Sequence, residues 1–208
     1  MRILYIDTSS SYLYSAIVED DHLLAEVQEE YGQSLSEVTL PRISELFEKT
    51  NLNPKDIDKI IVVNGPGSFT GIRIGLTIAK VYAWTLKLPI TTIYSLEAMS
   101  ISSKTNKVHV PIINARRGYV FAAAYDENQN IIIKPQHMKL EDLLKELESV
   151  GEYELISNDE FEGLEVSPYV PDMEKIVNTF KDKESINPHA VNPEYLKLTE
   201  AEENRLWL

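Results

Sequence analysis

Short apolar runs bounded by turn residues alternate with longer segments of helical periodicity along this chain. The runs are rich in Ile, Val, Leu and Tyr, which fit the pleated surface of a buried strand. They predict strands at residues 2–7, 12–18, 22–29, 60–63, 89–94, 108–113, 119–125, 131–133 and 153–156. Apolar spacings of three and four predict helices at residues 34–49, 68–86, 95–99, 139–147 and 172–180. Strands that alternate with helices in this way are typical of an α/β fold.

Residues 62–83, which read VVNGPGSFTGIRIGLTIAKVYA, combine a strand end, a glycine-rich turn and a long, nearly uncharged segment. Gly65 and Gly67 have no side chain, so a ligand or another backbone can approach them closely. Ser68 and Thr70 are N-cap candidates for a helix whose free amides and positive dipole end can bind a phosphate or a carboxylate. A tight strand-to-helix connection without a ligand fits the same residues equally well. The stretch is neither a Walker loop nor a GxGxxG fingerprint.

The segment after this turn carries small residues at every fourth position, namely Gly71, Gly75, Ala79 and Ala83. The alternating aliphatic residues Ile72, Ile74, Leu76 and Ile78 would also fit a strand, but the interior glycine and the length of the segment favour a helix. A helix that is apolar nearly all round is covered on more than one side. We expect its own sheet on one side, and a second helix of this chain or another protein on the other.

The preceding helix is predicted from Ser34, which forms a capping box with Glu37, to about residue 49. Its apolar positions are Val38, Leu40, Ile43, Leu46 and Phe47. Pro41 removes one backbone donor inside it and should kink it.

The strand, turn and strand that open the chain recur at residues 108–125, with Asn114 in the place of Asp7. This repetition predicts two related α/β halves, residues 1–102 and a smaller, degenerate half at 103–208. The acidic end of the chain, residues 200–204, is expected to be a helix or disordered, and the C-terminal tail is expected to pack back on the first half.

Composition narrows the classes of function. The 208 residues contain no cysteine, which excludes disulfides, a thiolate nucleophile and cysteine-type zinc sites. A net charge of −13 repels polyanions and argues against nucleic acid as a direct, dominant partner. No apolar run is long enough for a membrane span, and Asp7 follows the first short apolar run, so neither a membrane protein nor a signal peptide is expected. A cytoplasmic protein is the simplest interpretation.

The polar residues that are candidates for ligand binding follow the ends of predicted strands. Asp7, Thr8 and Ser9 offer a carboxylate and two hydroxyls, either as a metal-phosphate site or as ordinary turn formers. With Asp58, Asn114 and the Gly65 turn they could form a nucleotide cleft between the halves. The candidate nucleotide residues are Asp7, Thr8, Ser9, Gly65, Gly67, Ser68 and Thr70. Arg116 and Arg117 could face phosphates, but surface arginines in a hairpin are more often solvated.

No catalytic apparatus is expected from the remaining residues. The histidines His22, His109, His137 and His189 are scattered singly, so no metal site is expected. No GxSxG elbow is present.

Four motifs together resemble one family. IDTSS at residues 6–10, GPGSFTGIRIGLTIAK at 65–80, NARRGYVFAAAY at 114–125 and NPEYLKLTEAE at 192–202 are similar to the TsaB family, also called YeaZ. The family takes part in bacterial tRNA threonylcarbamoyladenosine (t6A) biosynthesis. The resemblance implies an actin-like ATPase fold (ASKHA, ribonuclease H-like) of two related α/β lobes.

The resemblance also implies partners. TsaB resembles TsaD, which transfers threonylcarbamoyl to adenosine 37 of tRNA, and is a non-catalytic subunit that binds TsaD through N-terminal lobe helices. The ATPase TsaE completes the complex, and tRNA is reached only indirectly. We expect a homodimer in the absence of TsaD, no cofactor of its own, and ATP or ADP with Mg²⁺ only at the seam with TsaD. The expected interface residues are Ser36, Leu40, Ile43, Phe47, Gly71, Gly75, Ile78, Ala79 and Tyr82.

Two departures from the family pattern bear on function. Many members read His-Ser-Glu where this chain has Leu35-Ser36-Glu37, so this chain lacks any role that the histidine has in those members. Many read Asp-Ala-Arg where this chain has Asn114-Ala115-Arg116, which weakens the case for independent ATP hydrolysis. Peptidase activity is not expected. The alternative to an accessory subunit is a small stand-alone ATPase or sugar-kinase-like enzyme that uses Asp7 and the Gly65 loop.

Overall fold

The computed structural model describes residues 1–197, which form two compact units. The first unit contains Met1–Ser102 together with Val170–Glu194, and the second contains Ser103–Tyr169 and residues 195–197. The acidic tail at residues 200–204, and with it the predicted tail contact, lies outside the described residues. None of the helices within residues 1–197 has the length and apolarity needed to cross a lipid bilayer.

Nine strands and five α-helices are described. The strands are β1 (Arg2–Asp7), β2 (Tyr12–Glu19), β3 (His22–Glu30), β4 (Lys59–Val63), β5 (Ile90–Ile93), β6 (Val108–Arg116), β7 (Tyr119–Tyr125), β8 (Ile131–Lys139) and β9 (Tyr153–Ile156). The helices are α1 (Leu35–Thr50), α2 (Phe69–Leu86), α3 (Ser95–Ile101), α4 (Leu140–Leu147) and α5 (Met173–Phe180).

The two sheets repeat one topology. The first has the strand order β3-β2-β1-β4-β5 and the second the order β8-β7-β6-β9. In both sheets, three consecutive strands form an antiparallel meander. A fourth strand pairs in parallel with the first strand of the meander, on the side away from the second strand. Asp7 pairs with Tyr14 at the end of β1, and Asn114 pairs with Val120 near the end of β6. The two related α/β lobes predicted from the repeat are confirmed.

Each unit has its own apolar core. In the first, α1 and α2 cover the sheet, and Leu4, Ile43, Ile60 and Ile72 are fully buried. In the second, α4 covers the sheet through Leu143. Burial on this scale is the main free-energy term that favours each folded unit.

The start of α1 differs from the prediction. Ser34 lies in a 3₁₀ helix, Gly32–Ser34, with helical backbone angles, and its side chain makes no cap hydrogen bond. The capping box with Glu37 is therefore wrong, because an N-cap residue needs an extended backbone to aim its hydroxyl at the following amides. The helix continues through Pro41 and ends at Asn51, whose left-handed backbone lets its amide donate to Phe47 and Glu48.

The segment after the glycine-rich turn is a helix and not a strand. Ser68 is the N-cap residue of α2, and its hydroxyl oxygen accepts from the Gly71 amide at 3.2 Å. Both features were predicted from the sequence and are confirmed.

Candidate functional site

The end of β1 places three polar residues in the interior of the first unit. Asp7 is 2% exposed, and Thr8 and Ser9 are also buried. The Ser9 amide donates to Asp7 Oδ1 at 2.8 Å, and the Tyr5 hydroxyl lies 3.5 Å from Asp7 Oδ2. Burial raises the pKa of the Asp7 carboxyl, and the hydrogen bonds from Ser9 and Tyr5 oppose that shift only in part.

Thr8 joins β1 to α2. Its hydroxyl donates to the Gly71 carbonyl oxygen at 2.6 Å and accepts from the Gly75 amide at 3.0 Å. The donor and one acceptor site of this hydroxyl are therefore used inside the chain. This assigns Thr8 to the packing of the helix on the sheet.

The glycine-rich turn is shaped by other parts of the backbone. Gly65 and Gly67 have positive φ angles of 124° and 150°. A Cβ atom on Gly65 would lie 2.2 Å from the Glu194 carbonyl oxygen, and one on Gly67 would lie 2.2 Å from the Ser9 carbonyl oxygen. The close approach that the sequence predicts at these glycines is made by the chain itself.

Two further features of this turn were not foreseen. The Gly65–Pro66 peptide bond is cis. Ser95, at the start of α3, donates its amide to the Gly65 carbonyl oxygen at 2.9 Å and its hydroxyl to the Pro66 carbonyl oxygen at 2.6 Å. The hydroxyl of Ser95 therefore holds the turn and does not cap α3, and no local pattern in the sequence indicates this long-range contact.

The structure brings most of the predicted nucleotide residues together. Ser68 donates its amide to the Ser9 carbonyl oxygen at 2.6 Å, so the Asp7–Ser9 strand end, the Gly65 turn and the start of α2 meet. Ser68 and Thr70 are exposed. Nucleotide binding by these residues stays a prediction.

Two other members of the predicted cleft lie elsewhere. Asp58 precedes β4, where its carboxylate accepts from the Arg2 amide at 2.7 Å, so it sits at the opposite end of the sheet from Asp7. Its inclusion in the site was wrong, because strand direction separates residues that begin parallel strands from those that end them. Asn114 lies in the second unit and accepts from the Arg116 amide at 2.8 Å, as Asp7 does from Ser9.

The predicted partner residues divide by burial. Ile43, Phe47, Gly71, Gly75 and Ala79 are buried in the first unit, Ile78 and Tyr82 are half-buried, and Ser36 and Leu40 are exposed. Cβ atoms on Gly71 and Gly75 would lie 2.0 and 2.5 Å from atoms of Thr8. Gly71 and Gly75 therefore pack against Thr8 at the end of β1, and not against the second helix, of this chain or of another protein, that the stripe of small residues was expected to contact.

The outer side of α1 and α2 carries apolar residues that the described part of the chain, residues 1–197, leaves uncovered. Val81 is 57% exposed and Leu40 is 48% exposed. We define the α1–α2 face as Leu40, Ile74, Ile78, Val81 and Tyr82. The two helices contact one another, with the Phe47 and Tyr82 rings 6.3 Å apart. Together with residues of the α1 end, these two rings line an open depression of about 560 Å³.

Val81 was absent from the predicted interface, although a pattern in the sequence indicates its position. Arg73 and Thr77 precede it at intervals of four residues and mark the solvent side of α2. Trp84 lies beside this row of solvent-facing residues and is 65% exposed. Its ring is edge-on to that of His189, with the ring centroids 6.2 Å apart.

Among residues 1–197, no three His, Cys, Asp or Glu side chains are grouped so that they could hold a metal ion. The predicted ATP or ADP with Mg²⁺ at a seam with another subunit is not tested by this finding.

Comparison with known proteins is consistent with this geometry. Residues 24–176 match the family model described as TsaD, tRNA N6-adenosine threonylcarbamoyltransferase. The chain is 31% identical to the tRNA threonylcarbamoyladenosine biosynthesis protein TsaB of Bacillus subtilis, over 97% of this chain and 96% of that protein. It is 30% identical to TsaB of Escherichia coli over 73% of this chain and 71% of that protein.

Solved structures share the fold. YeaZ from Pseudomonas aeruginosa superposes with a TM-score of 0.73 at 16% identity, covering 94% of this chain and 99% of that one. A Pseudomonas aeruginosa protein described as similar to peptidase YEAZ gives a TM-score of 0.78 at 17% identity, with the same coverage. The predicted α/β fold of two related lobes is thus confirmed, and it is the fold of the YeaZ structures. The chain belongs to the TsaB (YeaZ) family, within the wider group that shares the TsaD-like domain.

Proposed function

We propose that this protein is a non-catalytic subunit of t6A biosynthesis that binds and activates a TsaD subunit through its α1–α2 face. The exposure of Val81 and Leu40 on two adjacent helices is the observation that carries the proposal. Family membership supports the pathway, because the curated relatives are named as t6A biosynthesis proteins. A TsaE-like ATPase completes the proposed complex.

The physical argument concerns uncovered apolar surface. Isolated exposed apolar residues are ordinary, but a larger exposed apolar patch marks a protein interface, and Val81 and Leu40 are exposed on neighbouring helices. The same face pairs with a second copy when TsaD is absent. Val81 replaces the buried Gly71 and Gly75 as an expected contact, and Leu40 remains one, as the sequence pattern predicts.

The stand-alone ATPase is the competing function. Asp7 and Thr8 are buried and hydrogen-bonded within the chain, and this favours a structural use of the site over independent catalysis. ATP turnover with Mg²⁺ by the purified chain alone, abolished by Asp7→Asn, would support the enzyme instead.

Val81→Glu tests the proposed interface. A charge at the centre of an apolar contact has to be desolvated without a partner, so the dissociation constant for TsaD should rise about tenfold or more. Because Val81 is 57% exposed, the stability of the chain should change by no more than about 0.5 kcal/mol. Light scattering of the mixture measures association, and t6A formed in the reconstituted reaction measures activity.

Ile131→Glu is the matched control, because Ile131 is 55% exposed but lies on β8 of the second unit. It should bind TsaD as the wild type does. Equal binding by the Val81 and Ile131 variants would contradict the proposed face.

A further inference from the structure

The hairpin between β6 and β7 carries a concentration of positive charge in an acidic chain. Arg116 and Arg117 lie at its tip, and both are exposed. Within residues 1–197, neither guanidinium group forms an ion pair. Lys139, at the end of β8, is the nearest basic residue in the strand register, because it pairs with Tyr119.

The backbone of this tip is unfavourable for the residues that occupy it. Arg116 and Arg117 have positive φ angles of 68° and 54°, followed by Gly118 at 77°. Asn or Gly normally fills such positions in a two-residue hairpin turn, because the Cβ atom of other residues comes too close to the following carbonyl oxygen. Strained positions of this kind are enriched at functional sites.

A stack of aromatic rings lies next to the hairpin tip in the register of the second sheet. The Tyr119 and His137 rings are 4.8 Å apart and nearly parallel, at an interplanar angle of 9°. Phe121 lies 5.3 Å from His137. All three side chains are half-buried, so part of this surface is open to solvent. Arg116 is the cross-strand partner of Tyr119, so the backbone of the hairpin tip adjoins the ring stack.

We infer that this hairpin binds a single-stranded loop of RNA. Its rings offer a stacking surface to an unpaired base, and Arg116 and Arg117 offer planar donors to the adjacent phosphates. An acidic peptide would match the arginines but not the ring stack. The nearby acidic groups are Glu141, which is paired with Lys139 at 3.5 Å, and Asp159, which accepts from the Asn114 amide. Neither pairs with the two arginines.

The inference rests on the proposed function and revises one expectation from the sequence. The net charge of −13 opposes RNA binding by the isolated chain at physiological salt. Once TsaD holds the tRNA, the hairpin adds a local contact. The RNA contact is therefore direct, but it depends on the complex.

Arg116→Gln combined with Arg117→Gln tests the charged part of the site. The tRNA affinity of the complex with TsaD, measured by fluorescence anisotropy, should fall about tenfold. The slope of the logarithm of the affinity against the logarithm of the salt concentration should decrease in magnitude by about 1.4, or 0.7 for each single-strand phosphate that an arginine no longer neutralises. Tyr119→Leu should weaken binding by about fivefold or more without changing that slope, because it removes stacking and no charge.

Lys104→Gln with Lys107→Gln is the matched control. It changes the net charge equally at exposed positions of the second unit, at the opposite end of β6. Thermal unfolding shows whether each variant is folded. An arginine variant that binds tRNA with the affinity and salt slope of this control would overturn the inference, as would displacement of the RNA by equal concentrations of AMP or a polyglutamate peptide.

A failure of the proposed function can be told apart from a failure of the hairpin site, because light scattering reports association with TsaD before RNA is added. Should the chain not associate with TsaD, binding of an anticodon stem-loop to the isolated chain is measured at low salt. Weaker binding by the arginine variant than by the lysine control supports the hairpin site, and equal binding overturns it.

Discussion

The carboxyl group of Asp7 is almost inaccessible, and its pKa is raised because burial disfavours the charged form. A raised folded-state pKa means that this residue destabilises the fold increasingly as the pH rises from the ordinary value of about 3.9 to the folded value. Asp7→Asn removes the titration and keeps an oxygen that accepts from the Ser9 amide. The variant should therefore be more stable than the wild type at pH 7, with a difference that shrinks towards zero near pH 4. Urea unfolding across this pH range measures the difference.

Asp126→Asn is a control in which the change in stability at neutral pH should have the opposite sign. Hydrogen bonds from the Asn130 side chain and the Asn130 and Asn128 amides lower the pKa of Asp126, so its ionised form favours the fold. Its replacement should lower stability at neutral pH and have little effect in acid. A stability gain that is independent of pH in the Asp7 variant would show that burial of its charge is not the cause.

At the scale of elements, α2 approaches β1 closely because two of its residues have no side chain. A Cβ on Gly71 would lie 2.0 Å from the Thr8 carbonyl oxygen, and one on Gly75 would lie 2.5 Å from the Thr8 hydroxyl. Both Gly71→Ala and Gly75→Ala should destabilise the protein by about 1–3 kcal/mol, although alanine is the better helix former. Gly71→Ala should cost more, because a backbone carbonyl moves less readily than a hydroxyl. Chemical denaturation measures both free energies of unfolding.

Thr77→Ala, on the exposed side of the same helix, is the control and should stay within about 0.5 kcal/mol of the wild type. If the glycine variants are as stable as this control, the helix is not held against β1 through Thr8.

Local sequence patterns predict where the helices lie better than they predict what those helices pack against. The N-cap Ser68 and the helical character of α2 follow from residues within one turn of each other, and the structure confirms both. Ser34 has the right residue type for a cap, but the preceding 3₁₀ helix gives it the wrong backbone angles. The spacing of Gly71 and Gly75 was read correctly as a close-packing surface, yet spacing alone does not identify the packing partner, which is β1.

At the scale of the whole molecule, the first unit is discontinuous in sequence, since it includes Val170–Glu194. Lys59, at the start of β4, donates to the carbonyl oxygens of Lys181 and Lys183 at 2.7 and 2.6 Å. Burial lowers the pKa of this lysine. A lysine followed by isoleucines looks like an ordinary strand start, so its partners more than 120 residues away could not be predicted from the sequence.

The discontinuity predicts that residues 1–102 do not form a stable unit alone. Ile176 and Val177 of α5 are fully buried, and burial of each such side chain stabilises by about 1.5–3 kcal/mol. Without them, a 1–102 fragment should unfold without a cooperative thermal transition and should bind an apolar dye. A peptide of residues 170–194 added in trans should restore the transition, as followed by circular dichroism. The same peptide with Ile176→Asp and Val177→Asp should not restore it, because charged side chains cannot enter that core. A cooperative transition of the 1–102 fragment on its own, unchanged by the peptide, would show that the returning segment is an accessory to the first unit and not part of it.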